Sequence, residues 1–424
     1  METAILDEKK EYNQKLFPYY KMFSWDLMFY YVISFMFLTT VKGFNASQIL
    51  LIDAFYTLSK FLLQIPLVGV VDKLGKRKSL IITNISVALY MLFILFSINI
   101  YMVILAGFFG AFGFLIKSLS ESSLLYDSIP ESPNRNKLFA KIEGKGGAFF
   151  FSLEAITSCL AGFLFAISPY LPVLLASIFC MISAFLAFRF NEVVPNVRST
   201  LSSNQYHKNL KHSFHFIMKS KRLRSLILFL GVSYGFINLL VTLRKSLFYD
   251  IEVPVEHMGI FFAVLGIFSS IASARQNQFH QKYRNKTLTV LTIMLVSSCL
   301  LAGLVVILKL PYLITLVLVL LAFAIQYIVK GFYFTFNKKY LNSFSTADLR
   351  TKIYSVNNLF EAICSTIASF ASSQLLKITS TAYAFIIISL VFCILLVLIL
   401  DYMKTRVGLK PEEYKKDDIP IPLN

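Results

Sequence analysis

The sequence predicts an all-α membrane protein of twelve transmembrane helices, and three observations lead there. Of 424 residues, 57% are apolar and 15% aromatic, while charged residues make up 15%, against roughly 25% in soluble domains. The apolar residues fall in long unbroken runs, whereas a β-barrel would show alternating segments of about ten residues. Twelve spans of about 20 residues, the number a bilayer core of about 30 Å demands, would use roughly 240 residues and leave short loops.

The runs lie at 22–41, 47–71, 79–97, 100–127, 145–167, 170–189, 223–249, 257–274, 288–308, 310–336, 350–376 and 381–403. Each is continuous enough to satisfy its own backbone as a helix, which the lipid interior requires. The first follows a polar N-terminus (METAILDEKKEYNQK) without the features of a cleaved leader, so it is expected to act as an uncleaved signal anchor. The second ends in the basic stretch Lys73, Lys76, Arg77 and Lys78, and the eighth in Arg275, Lys282, Arg284 and Lys286. The opposite loops carry Lys42, Lys309 and Lys377 against Asp250, Glu252 and Glu256. This asymmetry predicts a multi-pass protein of the inner or plasma membrane with both termini cytoplasmic. It also accounts for the net charge of +18 without nucleic acid as a partner, since the basic residues form no single patch.

The longest connection divides the spans six and six. The expected organisation is an N-terminal six-helix bundle at 1–190, a cytoplasmic linker at 191–222, a C-terminal bundle at 223–408 and a cytoplasmic tail at 409–424. In the linker Leu210, Phe214, Ile217 and Met218 recur at helical spacing beside Lys208, Lys211, Lys219 and Lys221, which suits a helix lying on an anionic leaflet. His207, His212 and His215 there read as a solvated face rather than a metal site. The five cysteines all fall inside apolar runs with no CxxC pair, as packing residues. Gly107, Gly110, Gly113, Gly231 and Gly235 read as points of close helix packing, since no strand precedes them to make a phosphate loop.

Ionisable residues inside spans are costly and normally face a bundle interior or a water-filled cavity. They are Asp26 on span 1, Asp53 and Lys60 on span 2, Lys117 and Glu121 on span 4, Glu154 on span 5, Arg244 and Lys245 on span 7, Lys330 on span 10 and Glu361 on span 11. The interiors of spans 3, 6, 9 and 12 carry none. A period of three suggests three-helix repeats in which every third helix faces lipid and the others line a path. Lys117 and Glu121 share a helical face, either as a structural pair or as an amine and a carboxylate offered together. Asn357, Glu361 and Ser365 form a polar stripe on span 11, and Gln326 with Lys330 does so on span 10. Glu154, in mid-span, is the first candidate for proton coupling. Arg244 and Lys245 read as reaching the outer interface.

After span 2 the chain reads Pro66-Leu-Val-Gly69-Val-Val-Asp72-Lys73-Leu-Gly75-Lys76-Arg77-Lys78. This resembles the signature loop between helices 2 and 3 of the major facilitator superfamily. The resemblance implies a transporter in which two six-helix halves tilt about a central site. It also implies a cytoplasmic gate built from Gly69, Asp72, Lys73, Gly75, Lys76, Arg77 and Lys78. Asp72 would accept hydrogen bonds at a helix N-terminus, Gly75 would permit a tight turn, and the three basic residues that follow would pair with acidic groups or lipid. Val68 stands where the family's first glycine usually lies, and span 5 ends in Leu160-Ala161-Gly162 without the Gly-Pro motif of the family's drug-proton antiporters.

Together these readings predict a secondary active transporter of a small organic solute, working by alternating access and driven by a proton gradient, with no bound cofactor. Asp26, Glu154 and Glu361 would titrate, and Lys60, Lys117 and Lys330, with Glu121 beside them, would meet the solute. The expected state is a monomer in the bilayer. The alternative is a multidrug efflux antiporter for lipophilic cations, against which the intramembrane bases count. A membrane enzyme, a channel and a non-transporting scaffold are disfavoured, because no catalytic or selectivity motif is present.

Overall fold

A computed structural model of the chain describes residues 2–24, 27–193, 215, 217–218, 221–283, 286–344 and 347–404. The expected linker helix, apart from His215, Ile217, Met218 and Lys221, and the expected tail lie outside them. The described residues form helices α1 (Glu2–Ser24), α2 (Tyr30–Met36) with a π-helical turn (Phe37–Val41), α3 (Ala46–Leu74), α4 (Lys76–Phe96), α5 (Ile100–Asp127), α6 (Arg135–Ile167) and α7 (Leu171–Arg189). The second half supplies α8 (Lys221–Asp250), α9 (Val255–Ala274), the short α10 (Gln276–Tyr283), α11 (Thr287–Ile307), α12 (Tyr312–Phe344), α13 (Ala347–Leu375) and α14 (Thr381–Lys404). No strand occurs among the described residues.

Ten of these helices are long and apolar enough to cross a bilayer: α3 to α9, α11, α12 and α14. The two other expected spans depart from a simple apolar helix, each for a physical reason. The first is not a continuous helix over 22–41. Helix α1 begins far upstream because its polar sequence is amphipathic: Phe17 and Tyr20 are fully buried, and Asn13 donates to Ser128 Oγ (3.0 Å) and Asn191 O (2.8 Å). It stops at Ser24, Phe29 takes a left-handed φ of 64°, and the seven-residue α2 resumes the path. The eleventh, α13, buries Asn357, Glu361, Ser365, Ser369, Ser372 and Ser373, so its interior face is polar.

The chain divides into two compact units. Unit 1 comprises Met1–Phe44, Phe55–Tyr206 and Pro254–Ile260, and unit 2 comprises Asn45–Ala54, His207–Val253 and Phe261–Asn424. In unit 1, α4 packs on α5 and α7, and α1 on α6 and α7. Its core joins Phe17, Tyr20, Leu80, Leu124, Leu125, Ile129, Ala187 and Phe190. Lys42 donates to Leu95 O (2.7 Å) and Ser97 O (2.9 Å), setting a cation at the C-terminus of α4. Helices α6 and α9 touch backbone to backbone: a Cβ on Gly259 would lie 1.9 Å from Ser158 O, and one on Gly162 2.3 Å from Val255 O.

In unit 2, α8 packs against α13 and α14, and α11 against α12 and α14. The start of α3 joins this unit through reciprocal bonds, Ser47 Oγ to Ser373 O (2.7 Å) and Ser373 Oγ to Ser47 O (2.8 Å). The expected close packing at Gly231 and Gly235 is present, against Phe360 and Cys364 of α13.

Candidate functional site

Unit 1 buries a cluster of four charges. Lys117, 3% exposed, donates from Nζ to Ser24 O at the C-terminal end of α1 and lies 3.9 Å from Glu121 Oε2 one turn along α5. Lys21 of α1 pairs with Glu143 of α6. Two amines and two carboxylates therefore balance, yet Glu121 Oε1, Glu143 Oε2 and Ser24 Oγ are buried without hydrogen-bond partners among the described residues. Buried acceptors of this kind carry a desolvation cost, and they leave the cluster able to accept further donors. Beside it Asn84 Nδ2 donates to Tyr20 OH (3.1 Å) and Ser183 Oγ to Asn84 Oδ1 (2.7 Å), an arrangement that holds α1, α4 and α7 in register.

Unit 2 buries a carboxylate of a different kind. Glu361 Oε1 accepts from Asn337 Nδ2 (2.8 Å), Asn357 Nδ2 (2.8 Å) and Tyr333 OH (3.2 Å). Asn357 stands one turn before Glu361 on α13, while Tyr333 and Asn337 stand one turn apart on α12. Tyr333 OH also lies 2.7 Å from Leu230 O on α8. Among the described residues no cation pairs with Glu361. Two amide donors thus hold a buried carboxyl group, with the Tyr333 hydroxyl shared between it and Leu230 O.

Arg244 is 2% exposed and Lys245 5%, so neither reaches an interface as the sequence suggests. Their position near the end of α8 is the same, but Arg244 is met by Gln326 and Tyr327 of α12 and Lys245 by Asp53 of α3. Arg244 Nη1 donates to Gln326 Oε1 (3.1 Å), and its guanidinium carbon stands 4.8 Å from the centre of the Tyr327 ring. Lys330 Nζ stands 5.3 Å from the same ring. Asp53 accepts from Thr242 Oγ1 and interacts electrostatically with Lys245.

The motif after α3 is partly described. Gly69 and Asp72 lie on α3, but their side-chain surroundings fall outside the described residues, as does Asp26 altogether. Gly75 takes φ 83° before α4, the left-handed conformation for which glycine is suited. Lys76 pairs with Asp127 at the end of α5. Arg77 offers its backbone N–H to Glu192 Oε2 (3.1 Å) and Nη2 to Phe188 O (2.9 Å). Lys73 and Lys78 are exposed.

The remaining expected residues are more scattered. Lys60 is half-buried with Nζ 4.5 Å over the Tyr56 ring. Glu154, the first candidate for coupling, is half-buried on α6, whereas Glu361 is 8% exposed. Sequence reasoning missed Lys21, Glu143, Asp127 and Glu192. Glu143 sits in a glycine-rich stretch that reads as loop, although α6 starts eight residues earlier at Arg135; an extended helical register from 135 would have placed it.

Comparison with known proteins follows the same direction. The model of the Major Facilitator Superfamily matches residues 22–324. No curated protein sequence matches the chain. The nucleoside transporter NupG superposes with a TM-score of 0.71 at 14% identity, covering 94% of this chain and 99% of that one. The D-xylose-proton symporter gives 0.66 at 12% identity, with 95% and 97% covered, and the inward-open xylose transporter XylE from E. coli 0.63 at 13%, with 97% and 99% covered. At such identities the likeness speaks for the fold. With the family model spanning most of its length, the chain belongs to the Major Facilitator Superfamily and is a secondary transporter, not an enzyme.

Proposed function

We propose that the chain moves a small organic solute across the cytoplasmic membrane by alternating access, coupled to protons, as a monomer with both termini in the cytoplasm. The observation that carries the reading is Glu361: a carboxylate 8% exposed, fixed by the amides of Asn337 and Asn357 with Tyr333 OH beside them and paired with no cation among the described residues. A proton is the smallest charge that neutralises such a group, and binding it in one conformation more tightly than in the other biases the equilibrium between them. The four-charge cluster around Lys117 and Glu121 is the counterpart in unit 1, where paired charges with spare acceptors suit a polar group of a solute. Lys60 and Lys330, with Asp26 and Glu154 as further acids, complete the proposed set. The motif from Gly69 to Lys78 is the proposed cytoplasmic gate; the pairing of Lys76 with Asp127 and the bond from the Arg77 backbone N–H to Glu192 support that role.

Burial of Arg244, with which no carboxylate pairs among the described residues, counts against efflux of lipophilic cations, because an intramembrane base of this kind repels such a solute. The test is counterflow in proteoliposomes of a solute first found by thermal stabilisation of the purified protein. Saturable exchange that a pH gradient turns into accumulation supports the reading, and exchange indifferent to every pH gradient refutes the coupling.

A further inference from the structure

We propose that unit 2 recognises an oxyanion of the solute, a carboxylate or a phosphate, through Arg244, with Gln326, Tyr327 and Lys330 around it. The inference rests on the transport reading and adds to it the chemical class of the cargo.

A guanidinium stays charged at any working pH and carries five N–H donors in a planar fork. At Arg244 the protein answers one of its nitrogens, by the 3.1 Å bond from Nη1 to Gln326 Oε1. Nε is buried without a partner, and no carboxylate pairs with Arg244 among the described residues. Its neighbour Lys245 differs, because Asp53 acts on it electrostatically. The bond to Arg244 also fixes which way the Gln326 amide points. Gln326 is 1% exposed, and its Nε2 is a second buried donor without a partner.

Tyr327 adds a further constraint. Its ring takes Arg244 at 4.8 Å and Lys330 at 5.3 Å, so two cations meet on one aromatic side chain. An interaction with the ring offsets part of the charge, and it supplies no acceptor for the fork. A buried cation is normally neutralised by a paired carboxylate. Here the protein sets two side chains with unanswered buried donors, Arg244 and Gln326, side by side, and no carboxylate pairs with the guanidinium among the described residues. The missing partner is an acceptor with at least two oxygens, and a carboxylate or phosphate fits the fork in bidentate fashion.

The experiment uses the full chain in detergent and reads thermal unfolding. One panel holds organic carboxylates, a second organic phosphates with inorganic phosphate, and each organic compound stands beside its neutral amide or alcohol. The expected result is a saturable rise in melting temperature with one anion class and none with its neutral counterparts; which panel responds separates the two sources. Arg244→Gln should weaken that ligand by at least about tenfold and Arg244→Lys by less, since Lys keeps the charge and loses the fork. Without ligand, Arg244→Met should melt at or above the wild type, because it removes a buried charge that no carboxylate balances among the described residues. A wild type that responds to neither panel overturns the proposal. So does a ligand whose affinity in Arg244→Gln stays within about threefold of the wild type, or an Arg244→Met protein that melts well below it, which would make Arg244 a structural pair. Binding is read without a gradient, so intact anion binding with no counterflow would remove the transport reading and support this assignment. Counterflow of a neutral solute, indifferent to Arg244→Gln, would do the reverse.

Discussion

Glu361 allows the fold and the coupling to be separated by two substitutions. Leu at 361 strands the two amide nitrogens, Asn337 Nδ2 and Asn357 Nδ2, that donate to Oε1 at 2.8 Å. Each buried donor left unanswered costs about 1–3 kcal/mol, so Glu361→Leu should destabilise by about 2–6 kcal/mol. Tyr333 adds little to that sum, because its hydroxyl can donate to Leu230 O at 2.7 Å. Asn337 Nδ2 keeps Tyr333 OH at 3.4 Å as a second acceptor, which sets the expectation toward the lower part of that range. Gln at 361 keeps an acceptor oxygen in place and removes the charge, so its stability should stay within about 1 kcal/mol of the wild type. Its transport should change completely. One pH unit is worth about 1.4 kcal/mol per proton, enough for roughly tenfold accumulation at one proton per solute. Glu361→Gln should exchange solute across the vesicle and accumulate none. The assays are thermal unfolding in detergent and gradient-driven uptake beside counterflow in proteoliposomes. Gradient-driven accumulation at the wild-type level in Glu361→Gln would refute the coupling role. Equal melting of the Leu and Gln variants would refute the energetic account of the cage.

Four further outcomes test other parts. Lys117→Met should destabilise by about 3–5 kcal/mol by leaving Glu121 as an uncompensated buried charge, and Lys117→Met with Glu121→Gln should recover much of that loss in a thermal melt. Gly259→Ala places a Cβ 1.9 Å from Ser158 O and should cost about 1–3 kcal/mol as α6 and α9 are forced apart. Gly144→Ala, with nothing within 4 Å of the added Cβ, should be neutral or stabilising by up to about 1 kcal/mol within α6. A double-mutant cycle on Lys76 and Asp127, whose side chains are 31% and 22% exposed, should return a coupling of about 1 kcal/mol or less.

Most of the helices were legible because a bilayer imposes a length and a polarity that a continuous apolar run meets on its own, as at 100–127 and 171–189. The first segment was misplaced because hydropathy does not register an amphipathic helix whose burial depends on partners. Phe17, Tyr20 and Asn13 are drawn inward by α4 to α7, and nothing in the polar N-terminal sequence announces that. Glu361, Asn357 and Ser365 were readable as a stripe through their spacing on one helix, and so were Lys117 and Glu121. The pairs Lys21–Glu143 and Lys76–Asp127, more than fifty positions apart in sequence, were not, since no local periodicity encodes a partner on another helix. Arg244 and Lys245 show the same gap in another form. Depth along α8 was visible, but the approach of α12 to Arg244 and of Asp53 to Lys245 belongs to tertiary packing.

The central claim is that solute movement carries protons through Glu361. The measurement that meets it most directly is internal pH in proteoliposomes loaded with a pH-sensitive dye, followed as the stabilising solute is added without an imposed gradient. The account predicts a pH change that depends on solute, saturates with it, and vanishes in Glu361→Gln while counterflow continues. Counterflow of the solute by the wild type with internal pH unmoved would contradict it.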